Sequence, residues 1–200
     1  MADIKIEDIK KLKELSGAGL TDAKNALVEA KGDFDKALEA MRKKGLTKAE
    51  KRGDRETREG LVDAYVHDGR IAAIVELNCE TSFVAKTDEF KDLAHKIAMQ
   101  VASMSPLYVG TADIPAKELE KARKAAEEEL KDDKKSADIK EKIIDGKINK
   151  QFADKVLLSQ PYILEDSKTV EAFIKDAIAK TGENITVRQF KRIELGVTES

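Results

Sequence analysis

Apolar positions recur with a helical period through the first forty-odd residues. Ile6, Ile9, Leu12 and Leu15 fall at near-helical spacing and predict a first short helix. Gly17-Ala18-Gly19 ends it, because glycine accepts the backbone conformation that follows a helix C-terminus. Thr21 or Asp22 can cap a second helix that carries Ala23, Ala26, Leu27 and Ala30 on one side, and Gly32 stops it. Asp33 can cap a third, with Phe34, Ala37, Leu38 and Met41 on one face, and Gly45 closes it. Residues 1–45 therefore read as a compact three-helix module, near the lower size limit at which a chain folds alone.

The pattern then loses its apolar content. Over residues 42–60 the only apolar side chains of note are Leu46 and Ala49, among eight basic residues interrupted by Glu50, Asp54, Glu56 and Glu59. Residues 46–59 are expected to be a charged, solvated, partly helical linker. A phosphate contact to RNA is the functional alternative, but no aromatics are interleaved for base stacking.

From residue 60 the period changes to two. Residues 61–67 and 70–77 are strand-like runs around Asp68-Gly69, a strong hairpin signal because such a two-residue turn needs positive φ. Pairing His67 with Arg70 would place Val62, Ala64 and Val66 on the core face with Ile71, Ala73, Val75 and Leu77. The other face would carry Leu61, Asp63, Tyr65, Ala72, Ile74 and Glu76, partly apolar and suited to another chain or layer. A helix follows, with Phe90, Leu93, Ile97, Val101 and Met104 as its buried stripe, broken at Ser105-Pro106. His95 lies off that stripe. Residues 116–131 predict a highly charged helix after Pro115, residues 139–145 a segment broken at Gly146, and residues 148–157 another. Residues 160–163 read as a loop. Ser167 can cap a last helix ended by Gly182, and residues 184–195 alternate as a strand. The class is α+β: a three-stranded antiparallel sheet with several helices over residues 60–200, behind the helical module.

Between the second strand and its helix lies Glu80-Thr81-Ser82-Phe83-Val84-Ala85-Lys86. Aromatics make up only 4% of the chain, so a Phe in this connection needs a reason. Either Phe83 tucks under the helix as core, or it is presented to a partner as an apolar anchor, since loops on a rigid scaffold carry function. The local pattern leaves both open.

Composition narrows the classes. The net charge is −2, with 37 basic and 39 acidic residues, which gives no support to a general nucleic-acid or membrane binder. No stretch reaches transmembrane length, the first residues lack a signal-peptide pattern, and the single Cys79 excludes an internal disulfide, so a cytoplasmic location is expected. Cys79, His67 and His95 lie in separate elements without metal or Cys–His catalytic spacing. A Walker A sequence and a dinucleotide fingerprint are both missing, so neither a cofactor nor an enzyme activity is expected. The residues themselves argue for a binding protein.

Two motifs extend this reading. Leu12-Lys13-Glu14-Leu15-Ser16-Gly17-Ala18-Gly19-Leu20, with Asp22-Ala23-Lys24-Asn25-Ala26-Leu27 and Gly32-Asp33, resembles the N-terminal ubiquitin-associated-like module of the bacterial elongation factor Ts family in its short form. Asn78-Cys79-Glu80-Thr81-Ser82-Phe83-Val84-Ala85-Lys86 resembles that family's Glu-Thr-Asp-Phe-Val-Ala loop. Gln160-Pro161-Tyr162-Ile163 and Gly182-Glu183-Asn184-Ile185-Thr186-Val187-Arg188 are supporting matches in the family's order. The resemblance implies a guanine-nucleotide exchange factor for elongation factor Tu. Lys10, Leu12, Lys13, Gly17, Ala18, Gly19 and Leu20 would dock the module on the partner's GTP-binding domain. Thr81, Ser82, Phe83 and Val84 would form the loop that dislocates magnesium, with Phe83 inserted between partner helices. It also implies a homodimer formed through the sheet. Ser82 departs from the family's usual acidic residue there. The rival readings are an adaptor using the helical module alone, or an RNA-associated protein using the basic linker.

Overall fold

A computed structural model describes residues 4–16, 18–131 and 136–197. Three helices come first, α1 (Ile6–Ser16), α2 (Leu20–Glu29) and α3 (Phe34–Glu50). Leu12, Ala23, Leu27, Ala37 and Met41 form their common core, with Ile9, Phe34 and Leu38 packed around it. The Asp33 carboxylate accepts from the Lys36 N–H at 3.1 Å and so starts α3 as expected. The second helix begins earlier than its polar residues suggest. Gly19 is its N-cap, and Thr21 and Asp22 lie inside the first turn.

Gly45 does not close α3. The helix continues to Glu50, and Ala49 is buried in the core of the larger part of the chain. Along this stretch α3 packs on α8 (Val170–Thr181), where a Cβ added at Gly45 would lie 3.1 Å from that of Ala179. Glycine at residue 45 thus serves close helix approach rather than termination. The residues after α3 are also tied down. The Asn184 side-chain amide donates to the carbonyls of Gly53 and Arg55, at 3.2 and 2.8 Å.

The main sheet has strand order β1 (Glu59–His67), β2 (Ile71–Cys79), β5 (Ile185–Glu194), all antiparallel. The hairpin register differs from the expected one by a single residue. His67 pairs with Ile71, not Arg70. Asp68 and Gly69 do take positive φ, and the Arg70 N–H closes the turn on the His67 carbonyl at 2.9 Å. Arg70 stays in the loop, however, and the ladder starts one residue later. Because side chains alternate with a period of two, this slip reverses β1. Leu61 and Tyr65 face the core beside Ala73, Val75 and Leu77, whereas Val62, Ala64 and Val66 are exposed. Ile74 and Ile193 are exposed with them. A second irregularity follows on β5. Glu76 pairs with Gln189 and Leu77 with Val187, so Arg188 is an extra residue at a bulge. Phe190 is thereby returned to the core side with Ile185 and Val187.

Helix α5 (Asp88–Met104) covers the inner face. The Thr87 hydroxyl caps it by accepting from the Phe90 N–H at 3.3 Å, and Phe90, Leu93, Ile97 and Val101 of the expected stripe are buried, whereas Met104 at its end is exposed. Ser105, at positive φ, ends it. Two further helices, α6 (Ala116–Glu129) and α7 (Ala137–Phe152), pack on each other through Ala122, Ala126, Leu130, Ile144 and Phe152. Gly146 does not break α7, and a Cβ there would meet open space. An interior glycine costs a helix only about 1 kcal/mol relative to alanine. Pro161 is no loop residue either. β3 (Pro161–Tyr162) pairs with β4 (Glu165–Thr169), which contains Ser167, and Thr169 caps α8 instead by accepting from Ala172 N–H at 3.2 Å. Buried Gln100 and Gln160 bond to each other at 3.1 Å and to surrounding backbone, which fixes this hairpin to α5.

Candidate functional site: an exposed phenylalanine on a held turn

Beyond Cys79 the chain forms a single helical turn, α4 (Ser82–Ala85), rather than an open loop. Thr81 is its N-cap, with the side-chain oxygen accepting from the Val84 N–H at 3.4 Å. The turn splits its two apolar residues. Val84 is 7% exposed and belongs to the main core, while Phe83 is 81% exposed. Phe83 is therefore not core. Of the two readings open from the sequence, the outward one describes this fold. Ser82 is also exposed, at the first position of the turn.

The residues expected on the docking face of the module do not all reach the surface. Lys10, Lys13, Gly19 and Leu20 are exposed, and Ala18 is half-buried. Leu12 has no free surface and centres the module core, so its role is to hold α1 in place. Gly17 lies outside the described residues. Glu14 of α1 lines one groove, of about 610 Å³, together with Phe83, Val84, Leu93 and Phe173. The helical module and the Phe83 turn thus border the same side of the molecule, with α5 and α8 between them.

The turn is held by groups that no local pattern signals. Glu183 accepts from the Thr81 N–H at 3.0 Å and from its hydroxyl at 2.5 Å. Glu80 accepts from the Asn184 N–H at 2.6 Å and lies 3.4 Å from the Arg55 guanidinium. Glu80, Glu183 and Asn184 stood in the sequence only as members of longer motifs. The Thr81–Glu183 and Glu80–Asn184 contacts join residues more than a hundred positions apart, out of reach of any periodicity argument.

Cys79 is buried under the turn, and its thiol donates to the Thr81 carbonyl at 3.2 Å. Burial pushes its pKa up, and the nearby Glu183 charge pushes the same way. This environment favours the neutral thiol, the opposite of what a nucleophilic cysteine needs. His67 sits at the far end of the hairpin from Cys79. The other histidine, His95, pairs with Asp63 at 2.9 Å and meets the Tyr65 ring edge to face at 5.7 Å. Among the described residues, no group of three or more His, Cys, Asp or Glu is placed to hold a metal ion, and no helix is long and apolar enough to cross a membrane.

Comparison with known proteins agrees with this architecture over its whole length. The family model described as elongation factor TS matches residues 4–197. The elongation factor Ts of Fervidobacterium nodosum is 50% identical over 97% of this chain and 99% of its own length. That of Thermotoga maritima is 51% identical over 97% of both chains, and that of Coprothermobacter proteolyticus 44% identical over 94% of this chain and 96% of its own. The match takes in the three-helix module, the Phe83 turn and the sheet together, and the chain belongs to the elongation factor Ts family.

Proposed function

We propose that this chain is a guanine-nucleotide exchange factor in translation elongation. It binds GDP-bound elongation factor Tu at the GTP-binding domain and promotes GDP release. The observation that carries the reading is Phe83, exposed on a turn whose neighbour Val84 is locked into the core. A large apolar ring held in water by a rigid support is suited to enter a partner, and buried aromatic anchors dominate binding energy at interfaces. Lys10, Lys13, Ala18, Gly19 and Leu20 dock the module, and Phe83 presses between helices of the same partner domain. This displaces the elements that hold magnesium and the β-phosphate, and GDP leaves. The chain contributes no covalent chemistry and needs no cofactor. It works by binding alone, and the coupling is reciprocal: a factor that weakens GDP binding is itself weakened by GDP to the same degree.

The chain divides functionally into the module of residues 1–45, a charged connection over residues 46–59 and a core of residues 60–200, all acting in the cytoplasm. The core also forms a homodimer, through the outer face of the sheet. Tyr65, expected on that face, points inward in the observed register, so the apolar patch consists of Val62, Ala64, Val66, Ile74 and Ile193. Release of fluorescent GDP from elongation factor Tu tests the proposal. The chain accelerates release, and Phe83→Ala largely abolishes the acceleration. Acceleration that survives in Phe83→Ala would move the mechanism to the module or the sheet, and none with the unaltered chain would refute the reading.

A further inference from the structure

The β2–β5 ladder ends at the pair Cys79 and Ile185. Just beyond it, each strand end sends a carboxylate across to the other. Glu80 takes the N–H of Asn184, and Glu183 takes the N–H and the hydroxyl of Thr81. Asn184 continues the tie to the carbonyls of Gly53 and Arg55, and Arg55 returns to Glu80. The contacts of Glu80, Asn184 and Arg55 close a ring at the root of α4, in which the bonds to carboxylates are charge-assisted and those from the Asn184 amide to carbonyls are neutral.

A one-turn helix has no stability of its own, because nucleation fixes several dihedrals for very few hydrogen bonds. Phe83 has little packing to orient it either. Its direction must come from Val84 below and Thr81 before it. The Thr81 hydroxyl has two tasks, donating to Glu183 and accepting from Val84 N–H. With its hydrogen directed at the Glu183 carboxylate, a lone pair stays free for the cap. We infer that Glu183, supported by Glu80, is a positioning residue for Phe83: a reciprocal carboxylate clamp fixes the Phe83 turn to the end of the sheet in the orientation that acts on the partner. The inference rests on the exchange reading above. Its value lies in pre-organisation, since a ring that must be ordered on binding gives up part of the interaction.

The test measures GDP release from elongation factor Tu at saturating factor, with the unaltered chain, Glu183→Ala, Glu183→Gln, Phe83→Ala and the Phe83→Ala/Glu183→Ala double variant. Loss of hydrogen bonds to a charged group predicts a maximal stimulated rate about tenfold lower in Glu183→Ala. Glu183→Gln, which keeps one acceptor and the side-chain length, recovers part of it. The double variant is no slower than Phe83→Ala alone, because the clamp acts only through the ring. In the free protein, the Thr81 and Val84 amides exchange with solvent faster in Glu183→Ala, while the Leu77 amide is unchanged. Losses that add in the double variant overturn the inference, since they would mean direct partner contact or general damage. An unaltered stimulated rate in Glu183→Ala overturns it alone and leaves the exchange reading standing. No stimulation by the unaltered chain overturns both. If Glu183→Ala fails to fold, Glu183→Gln supports the same comparison: a smaller loss, absent in the Phe83→Ala background.

Discussion

Phe83 and Val84 are chain neighbours with opposite environments, and truncating each to alanine should separate folding from function. Val84 is 7% exposed and packs in the main core. Removing its two methyl groups forfeits about 0.8 kcal/mol each and leaves a small cavity, so Val84→Ala should cost about 2 kcal/mol of stability. For a chain of this size that lowers Tm by about 4–8 °C. Phe83 is 81% exposed. A Phe side chain carries on the order of 200 Å². Folding therefore buries only about 40 Å² of it, worth about 1 kcal/mol at most. The same ring fully buried in a partner is worth about 1.5–3 kcal/mol, a factor of roughly ten to a hundred in binding. Phe83→Ala should therefore leave the urea midpoint nearly unchanged and reduce partner binding by that factor. Val84→Ala should do the reverse at temperatures where it remains folded. Urea unfolding gives the first quantity and titration against GDP-bound elongation factor Tu the second. If Phe83→Ala destabilised the fold as much as Val84→Ala, the ring would be core and the outward reading refuted.

Further expectations concern other parts of the molecule. Val66→Lys on the outer sheet face should turn a dimer into a monomer in light scattering without unfolding the chain, and a species of unchanged mass would exclude this face as the interface. Ser82→Asp should raise the rate of GDP release, since a carboxylate offers the partner a stronger acceptor than serine; a rate equal to or below that of the unaltered chain would count against the argument. Cys79 has a raised pKa in the fold, so the thiol's contribution to stability is complete below its unfolded pKa and is lost as pH rises through the folded value. Alkylation at pH 8 should accordingly be slow until denaturant is added, and fast labelling of the native chain would contradict the burial. Gly60→Ala should be strongly destabilising, because its Cβ would lie 2.2 Å from the Leu77 carbonyl oxygen at a φ of +157°. A urea midpoint matching that of the unaltered chain would show that the strand pair can yield.

Elements with a strong period were legible, and those decided by one residue were not. The stripe of α2, and that of α5 as far as Val101, follow from spacing alone, and so do both strands of the hairpin; in α1 Leu12 is buried and Ile9 packs beside it, while Ile6 and Leu15 at the same spacing are exposed. Asp68-Gly69 marks the turn correctly, but the ladder starts at Ile71, and that slip exchanges the two faces of β1. Since Leu61, Val62, Ala64, Tyr65 and Val66 make both faces of the strand partly apolar, its composition could not choose between the two registers. Glycine is poor in helices, so the sequence places stops at Gly45 and Gly146. In the structure one serves contact with Ala179 and the other is tolerated. The Phe83 turn is legible from its position, an aromatic in a connection. Its orientation was undecidable locally because it depends on Glu183, a hundred residues further on.

The long α3 explains how a small module and a single ring could act together. Were residues 46–59 a free linker, docking the module would raise the local concentration of Phe83 near the partner without aiming it. In the structure α3 belongs to both parts. Its first half carries Ala37 and Met41 into the module core, and Ala49 enters the main core after the close pass of Gly45 by Ala179. Asn184 then joins the segment after α3 to the root of the Phe83 turn, through the same residue whose N–H is held by Glu80. Module, connection and turn therefore share one set of contacts. Energy gained where the module docks can be transmitted to Phe83 instead of being dissipated in ordering a linker, since the expense of holding the two apart was met when the chain folded. On this view a substitution that pushes α3 away from α8 weakens exchange more than it weakens docking, even though it touches neither contact surface.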